Sequence, residues 1–376
     1  MDYRARWRAQ RERRQRLRLL APVAVGVVLA AAIALAAGGH GGGAGLVWKY
    51  HLAAEGACRL ALAGKVLVVA GDDGSVTALD ASTGKPLWPQ EFHAAFPVRT
   101  QPLLAEGQVF VGADDGSLRA LSLESGQPAW PQPFFADAAV QSSPLKVGQL
   151  VVFGADDGRV YALDAPSGKE AWRAAYPEAS VGAAPAAAGA TVYATSVDGH
   201  LYALDAATGR LRWRSSPTAK GSRPPVALSP PVVVGKIVCF GADDGSLSAL
   251  SARDGQRQWE FQAQGVLREA PAHTDSDLYV ADGAGQVCKL RLLSGQVQWH
   301  RRLGGGVRAA PALSRSALYV GTGAGLLYAL DTATGRTLWS SVVGSPIEGD
   351  ILVDRGLIFL ADAKGQVLAL RERVPS

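Results

Sequence analysis

The residues best suited to chemistry in this sequence are the paired aspartates of four Asp-Asp-Gly triplets. A calcium loop needs about six to eight oxygen ligands spread over about twelve residues, and two aspartates beside a glycine do not supply them. An Asp-Gly step between two apolar runs is typical of a β-hairpin turn, because glycine tolerates a positive φ. We interpret the triplets as turns with solvated carboxylates. They begin at Asp72, Asp114, Asp156 and Asp243.

Cysteine and histidine are the other side chains that could do chemistry. The three cysteines, Cys58, Cys239 and Cys288, are far apart, and no pair has metal-ligand spacing. We interpret them as small, buried thiols. None of the six histidines shows a His-x-x-x-His spacing, and no nucleophile–base motif is present. The sequence therefore predicts no catalytic, cofactor or metal site and a protein that is not an enzyme.

The net charge of +5 is concentrated at the N-terminus. Residues 1–18 hold eight arginines against Asp2 and Glu12 and carry +6, so that the other 358 residues sum to −1. A protein that binds nucleic acid through phosphate contacts needs a basic face on its folded domain. This distribution argues against nucleic acid as a partner and makes residues 1–18 a basic tail.

An apolar segment follows the basic tail. Residues 19–37 contain no charge, and a helix of about 20 residues spans a bilayer core. We expect residues 19–38 to be a single transmembrane anchor with the arginine-rich tail in the cytoplasm. The alternative is a signal sequence cleaved near Ala34-Leu35-Ala36. Residues 39–45 then form a glycine-rich linker, and the rest of the chain is exported to the periplasmic side, attached to the membrane or released.

A repeat of 40 to 46 residues runs through the remainder of the chain and predicts an all-β, eight-bladed β-propeller over residues 46–376. Each repeat holds an apolar strand, an Asp-Gly or Gly turn, an alternating strand, a second Gly turn and a tryptophan strand. A further strand of the form Val-x-x-x-Pro, as in Val98–Pro102, precedes them, giving four strands for each blade. The tryptophans of the series are Trp48, Trp88, Trp130, Trp172, Trp213, Trp259, Trp299 and Trp339.

The two ends of the repeat series complement each other. The last repeat, Ile347 to Leu370, lacks a tryptophan strand, whereas the first segment, Leu46 to Tyr50, is a tryptophan strand with nothing before it. We expect this N-terminal strand to become the outer strand of the last blade and to close the ring. Closure leaves only short, protected strand edges exposed, which suppresses edge-to-edge aggregation, and we expect the propeller to be monomeric.

The segment Ala78–Trp88 has the form A-x-D-x-x-x-G-x-x-x-W, which recurs at Ala162–Trp172, Ala203–Trp213 and Ala329–Trp339. It resembles the tryptophan-docking motif of quinoprotein-type (PQQ-like) propeller repeats. The resemblance implies that each tryptophan lies between the small alanine of the motif and the glycine of a neighbouring blade. The chain departs from the motif at Lys289, which replaces the alanine, and at the aspartate position. The replacements of the aspartate are Ser122, Ser251, Arg291 and Arg371.

Two functions are implied by this resemblance. The chain is similar to outer-membrane assembly factors of the BamB type, which implies a non-enzymatic scaffold that binds protein partners in the cell envelope. It departs from them because Cys58 lies too far beyond the apolar segment to be a lipidated cysteine. The alternative is a quinoprotein-like ligand binder, sensor or vestigial PQQ-dependent dehydrogenase. The dehydrogenases use long loops, calcium ligands and an adjacent cysteine pair, and these features are missing from the short repeats.

Aromatic residues mark a possible protein-binding surface. In a four-stranded blade, the loop between the second and third strands opens on the same face as the loop to the next blade. We therefore expect the Asp-Asp-Gly turns to share a face with aromatic interblade loops and to bind a protein there, unless the rings pack under their own loops. The candidate residues are Phe92, Phe96, Phe134, Phe135 and Tyr176.

Four arginines occupy equivalent positions at the starts of the innermost strands. Alignment of these starts predicts an arc at the mouth of the channel, which either binds a carboxylate or pairs with Glu348 and Glu269. The arginines are Arg59, Arg99, Arg268 and Arg308.

Overall fold

The computed structural model describes residues 44–52, 56–176, 179–216, 228–315 and 317–373. These residues form eight four-stranded antiparallel sheets, which confirms the predicted eight-bladed β-propeller. No described segment forms a helix with the length and apolar character needed to cross a bilayer. The expected tail and anchor lie outside the described residues, as do most of the linker and of the long interblade loop from residue 215 to 225.

The strands are numbered along the chain, and each blade is described from the channel outward. The first strand is β1 (Gly45–His51), which belongs to the last blade. Blade 1 consists of β2 (Cys58–Ala63), β3 (Val66–Gly71), β4 (Ser75–Asp80) and β5 (Phe92–His93), and blade 2 of β6 (Leu103–Ala105), β7 (Gln108–Gly112), β8 (Ser117–Ser122) and β9 (Phe134–Phe135). Blade 3 consists of β10 (Leu145–Val147), β11 (Leu150–Gly154), β12 (Val160–Asp164) and β13 (Glu170–Arg173). Blade 4 consists of β14 (Ala186–Ala188), β15 (Thr191–Thr195), β16 (Leu201–Asp205) and β17 (Leu211–Ser215).

The second half of the ring repeats this arrangement, and its last blade is composite. Blade 5 consists of β18 (Val232–Val234), β19 (Ile237–Gly241), β20 (Ser246–Ser251) and β21 (Arg257–Gln262). Blade 6 consists of β22 (Ala272–His273), β23 (Asp277–Ala281), β24 (Gln286–Arg291) and β25 (Val297–Arg302). Blade 7 consists of β26 (Ala312–Leu313), β27 (Leu318–Gly321), β28 (Leu326–Leu330) and β29 (Thr337–Val342). Blade 8 is β30 (Ile347–Asp354), β31 (Leu357–Asp362), β32 (Gln366–Arg371) and β1.

The closing strand lies where the sequence predicts it. Strand β1 pairs antiparallel with β32, from Gly45 opposite Arg371 to His51 opposite Gln366, with a bulge between Leu46 and Trp48. Leu52 then donates its N–H to the carbonyl of Gly365 at 3.0 Å. The first and last described strands are thereby held in one sheet, and the ring is closed.

The core is divided among the interfaces between neighbouring blades, because every sheet buries both of its faces. Apolar side chains of one blade pack against the next, with Val152, Val160 and Ala162 of blade 3 against Val192 and Tyr202 of blade 4. Each interface forms only when both blades are present. The stability of the ring therefore depends on contacts between consecutive blades.

The tryptophan series docks between neighbouring blades. Trp172 of blade 3 is 8% exposed, lies opposite Ala162 in its own sheet and contacts Gly209 of blade 4. A methyl group at Gly209 would overlap the indole, and the φ of 68° at this residue also favours glycine. The indole N–H donates to the carbonyl of Ala206 at 3.1 Å. The same indole–glycine contact recurs at Trp48–Gly84, Trp88–Gly126, Trp130–Gly168, Trp213–Gly255, Trp259–Gly295 and Trp299–Gly335.

Two tryptophans depart from this pattern. Trp339 docks on blade 8 and contacts no glycine among the described residues, and its N–H donates to the carbonyl of Arg373 at 3.4 Å. The Nε1 atom of Trp213 is buried without a hydrogen-bond partner among the described residues. The carbonyl of Ala252 accepts a hydrogen bond from the Tyr193 hydroxyl at 2.8 Å instead. The docking of Trp213 is therefore less complete than that of Trp172.

Lys289 replaces the motif alanine in blade 6 and lies opposite Trp299 in the sheet. Its ammonium group donates to the carbonyl of Thr332 of blade 7 at 3.2 Å and pairs with Asp277 at 3.3 Å. It also lies 5.5 Å from the ring centroid of Tyr279. A longer side chain is thus accommodated because its charge is paired and its end contacts the next blade.

Two predictions about strand positions are wrong, and proline explains both. The inner strands of blades 2 and 3 begin after the Val-x-x-x-Pro segments, at Leu103 and Leu145, because Pro102 and Pro144 have no N–H to donate to a neighbouring strand. The outer strands of blades 1 and 2 are delayed beyond Trp88 and Trp130 and contain only two residues each. Pro89 and Pro131 directly follow these tryptophans.

Candidate functional site

The Asp-Asp-Gly turns form as predicted and open on the face of the interblade loops. Ala94, in the connection between blades 1 and 2, donates its N–H to the carbonyl of Gly74 at 2.8 Å. Ala136 donates to the carbonyl of Gly116 in the same way at 2.8 Å. One face of the propeller therefore carries both the acidic turns and the loops between blades.

The two carboxylates of each turn have different surroundings. The second closes the turn, since Asp115 Oδ1 accepts the N–H of Ser117 at 2.9 Å. The first carboxylate of the blade 2 turn, Asp114, is only 8% exposed and accepts a hydrogen bond from Gln141 at 3.2 Å. The prediction that all these carboxylates are solvated is therefore wrong for Asp114.

Three arginines of the predicted arc lie at a cavity in the central channel. Arg59, Arg99 and Arg268 line this cavity of about 480 Å³, together with Glu269 and Asp350. Its opposite wall, from blades 3 to 5, consists of small and apolar residues. These are Gly182, Ala183, Ala184, Ser196, Val197, Leu228 and Pro230.

Three of the four arginines are neutralised by carboxylates. Arg308 Nη1 lies 2.8 Å from Glu348 Oε1, which is the pairing that the sequence predicts. Arg99 Nε lies 3.1 Å from Asp114 Oδ2. The remaining pair joins Arg59 to Asp350 at 4.0 Å.

The other predicted partner, Glu269, makes no ion pair with the described arginines, and Arg268 is exposed at the cavity. The arc is therefore a mixed-charge network. A carboxylate ligand would have to compete with carboxylates that are already in place, which favours the structural role of these arginines.

Three carboxyl groups near the cavity have pKa values raised by burial. The pKa of Asp350 is raised mainly by desolvation, against the lowering effect of Arg59 and a hydrogen bond from the N–H of Leu60. Burial also raises the pKa of Glu269, and Asp350 raises it further, while Arg59 and Arg268 oppose the shift. For Asp72, burial is again the largest cause. The charged forms of these groups therefore destabilise the folded ring relative to the unfolded chain.

We expect the ring to gain stability when the pH falls from neutral to mildly acidic values. A carboxyl group with a raised folded-state pKa stabilises the fold below its unfolded pKa, and this stabilisation is lost as the pH rises through the folded pKa. Glu269→Gln should therefore reduce the gain on acidification, measured by urea unfolding at several pH values. The substitution Glu170→Gln on the exposed outer strand β13 is the control. An equal response of both variants would contradict this role of Glu269.

The aromatic residues do not all lie in interblade loops. Phe92 is in β5, and Phe134 and Phe135 form β9, so that three of the five predicted loop residues belong to outer strands. The outer strands of blades 1 and 2 begin only after the Trp-Pro step, so that they include residues that the sequence places in the following loops. Only Phe96 and Tyr176 lie in the connections between blades.

Two of the five rings are exposed. Phe135 is 57% exposed and Tyr176 is 40% exposed, on the adjacent blades 2 and 3. Phe134 instead packs with its ring centroid 5.4 Å from that of Tyr161 and 6.0 Å from that of Phe153. Phe92 is half-buried against the core of blades 1 and 2. Packing beneath the blade edge thus accounts for Phe92 and Phe134, whereas Phe135 and Tyr176 remain available to a partner.

Ion pairs that sequence reasoning did not identify link the connection after blade 2 to blade 3. Asp137 accepts a hydrogen bond from Arg159 at 2.6 Å and lies 4.0 Å from Arg173. Phe135 precedes Asp137 by two residues, and Tyr176 follows Arg173 by three. We call these five residues the blade 2–3 flank. The sequence shows that these residues are charged, but it gives no signal that Asp137 and Arg159 meet.

The described residues offer little for catalysis. Cys58, Cys239 and Cys288 are buried in the cores of blades 1, 5 and 6. Burial raises the pKa of Cys58 and of Cys239 to about 12, so that their reactive thiolate forms are rare at neutral pH. No group of three or more metal-ligating side chains comes together in the described parts of the chain.

Comparison with known proteins identifies relatives of this fold. The family model described as "Outer membrane protein assembly factor BamB" matches residues 39–180, 156–308 and 300–373. BamB from Moraxella catarrhalis superposes with a TM-score of 0.74 at 18% identity, covering 87% of this chain and 99% of that one. A comparison with curated proteins gives no match.

Two further solved structures have the same fold. The computationally designed protein Ika8 has a TM-score of 0.74 at 20% identity, covering 85% of this chain and 98% of its own. Quinohemoprotein alcohol dehydrogenase ADHIIG from Pseudomonas putida HK5 has a TM-score of 0.70 at 15% identity, covering 88% of this chain and 76% of the enzyme. At these identities, the likeness concerns the fold alone.

Proposed function

We propose, from the premise that this chain belongs to the family of the outer membrane protein assembly factor BamB, that it is a non-enzymatic propeller scaffold for a protein partner in the cell envelope. In this proposal, residues 19–38 anchor a monomeric ring in the membrane. Residues 1–18 stay in the cytoplasm, and the ring is exported to the periplasmic side. Cleavage after the apolar segment would instead release the ring, and the mass of the purified protein distinguishes the two forms.

The observation that carries the proposal is the exposure of Phe135 and Tyr176 on the adjacent blades 2 and 3 of the blade 2–3 flank. Aromatic residues are enriched in the energetically important centres of protein interfaces, because they bury a large apolar area with few rotatable bonds. The ion pairs of Asp137 with Arg159 and Arg173 add charged groups on the same two blades. An apolar centre with a charged rim is the usual anatomy of a protein-binding surface.

The quinoprotein-like alternative receives less support from the residues. Its resemblance implies an adjacent cysteine pair and calcium ligands, whereas Cys58, Cys239 and Cys288 lie in three different blades. The arginines Arg59 and Arg99 at the cavity already have carboxylate partners. These residues do not fit the cofactor site that the resemblance implies, and we derive no redox step.

We expect the double substitution Phe135→Ala and Tyr176→Ala to weaken partner capture at least tenfold without unfolding the ring. Removing interface rings costs about 2 kcal/mol or more where they are central, whereas exposed rings contribute little to folding. The measurement is quantitative capture by the tagged full chain from solubilised envelope membranes, together with a thermal melt.

Val342→Ala is a matched control, since Val342 is 54% exposed on blade 7. Phe134→Ala is a second comparison that should lower the melting temperature, because this ring packs on Phe153 and Tyr161. Partner capture that is unchanged in the folded double variant would refute the assignment of the blade 2–3 flank.

A further inference from the structure

The outer strand of blade 6 presents an open edge on the circumference of the ring. Strand β25 is the last strand of its sheet and pairs on one side only, with β24. Its six residues contain no proline, and all but Trp299 are exposed. An edge strand of this kind offers a row of backbone N–H and C=O groups to another strand.

The exposed side chains of this edge are basic and apolar. His300, Arg301 and Arg302 end the strand, and Val297, 41% exposed, begins it. Leu293, in the turn that leads into β25, is 80% exposed, the largest value among the large apolar side chains described. Alternation along the strand places Arg301 on the opposite face from His300 and Arg302.

The charge of this edge is uncompensated. Neither β25 nor its neighbour β24 contains a carboxylate. The hydrogen bond that Arg302 donates goes to a neutral acceptor, Gln264 Oε1, at 3.3 Å. Within the described parts of the chain, neither Arg301 nor Arg302 forms an ion pair.

Each of the other outer strands that contain arginine, β13, β17 and β21, has at least one arginine in an ion pair. Arg212 of β17 pairs with Asp205 at 2.7 Å, and Arg257 of β21 pairs with Glu260 at 2.5 Å. Arg173 of β13 pairs with Glu170 at 2.5 Å. The unpaired basic edge is therefore a property of β25 and not of the repeat in general.

We propose that β25 binds an extended acidic segment of a partner protein, which adds to blade 6 as a fifth strand. Backbone hydrogen bonds to the open edge would supply the affinity, and acidic side chains opposite His300, Arg301 and Arg302 would set the specificity. Leu293 and Val297 provide an apolar contact at the start of the strand. Blade 6 lies across the ring from blade 2, so that this site is separate from the blade 2–3 flank.

The test uses the purified full chain and a short labelled peptide of alternating valine and glutamate, with binding measured by fluorescence anisotropy. The double substitution Arg301→Glu and Arg302→Glu should weaken binding about tenfold or more, because like charges then face each other. The double substitution Arg212→Glu and Arg214→Glu on β17 changes the net charge equally and should leave binding within about twofold of the original.

Two further probes separate strand addition from general attraction. A peptide with proline in place of valine keeps the glutamates but loses backbone donors, and it should not bind. Equal weakening by the β17 and β25 variants would overturn the proposal, as would equal binding of the proline peptide. Binding to vesicles of anionic phospholipid with no binding of the valine–glutamate peptide would also overturn it, since a lipid surface would then be the ligand.

Discussion

The substitution Trp172→Ala is expected to lower the free energy of unfolding by about 3–5 kcal/mol, the usual range for a buried tryptophan replaced by alanine. Trp172 fills the space between Ala162 of its own blade and Gly209 of the next, and its N–H is bonded to Ala206. Its removal leaves a cavity at a blade interface and an unpaired carbonyl. Chemical unfolding followed by circular dichroism measures the change.

Trp213→Ala is the matched control for this experiment. The indole of Trp213 is only partly buried, and its N–H has no partner among the described residues, so that its loss should cost less. A loss below about 1 kcal/mol for Trp172→Ala would contradict the docking role, because it is far below the range for large buried side chains. Equal losses for both variants would show that the hydrogen bond and the deeper burial contribute nothing.

Deletion of the closing strand is expected to abolish cooperative unfolding of the ring. A chain that begins after Leu52 lacks β1, and with it Trp48 and Tyr50, which are 5% and 6% exposed. Loss of Trp48 alone costs about 3–5 kcal/mol, and the whole stability of a domain is about 5–15 kcal/mol. Removal also bares the edge of β32, which can then pair with other molecules.

The measurement is size-exclusion chromatography together with a thermal melt, and the control is a chain that begins at Ala44 and keeps β1. We expect the control to remain monomeric with a single unfolding transition. A deletion variant without β1 that melted cooperatively at the same temperature as the control would rule out a closing role for this strand.

The eight-bladed ring and its closure could be predicted from the sequence because local chemistry repeats in every blade. Most of the tryptophans have an alanine opposite and a glycine in the next blade, and these residues recur at nearly constant spacing. The unmatched ends, Leu46–Tyr50 and Ile347–Leu370, could be combined into one blade for the same reason. Repetition thus reveals contacts between residues that are far apart in the chain.

The positions of individual aromatic residues could not be predicted, because they depend on departures from the repeat. The Trp-Pro steps at Trp88 and Trp130 lengthen the chain before the outer strand resumes, which moves Phe92 and Phe134 from loops into strands. The sequence contains these prolines, but the length of the detour depends on where the strand pairs again. The prolines therefore indicate that the outer strand is interrupted, but they do not indicate the residue at which it pairs again.

The ion pairs of the channel could be predicted only where both partners lay at equivalent positions of adjacent blades. Arg308 and Glu348 occupy equivalent positions of blades 7 and 8, and this pairing was predicted. Asp350 is brought to Arg59 by an irregularity in the pairing of β30 with β31, between Ile347 and Ile351. Extra residues in one strand of a pair redirect side chains in a way that composition does not reveal.

The closing strand also determines how the ring carries mechanical load. Strand β1 is the first strand of the ring, so that a force transmitted along the chain from residue 44 enters the ring through the pairing of β1 with β32. Trp48, seated on Gly84 of blade 1, resists displacement of β1 along its own axis. Under the proposed tethering by the N-terminus, tension would therefore act first on the same strand that completes the fold.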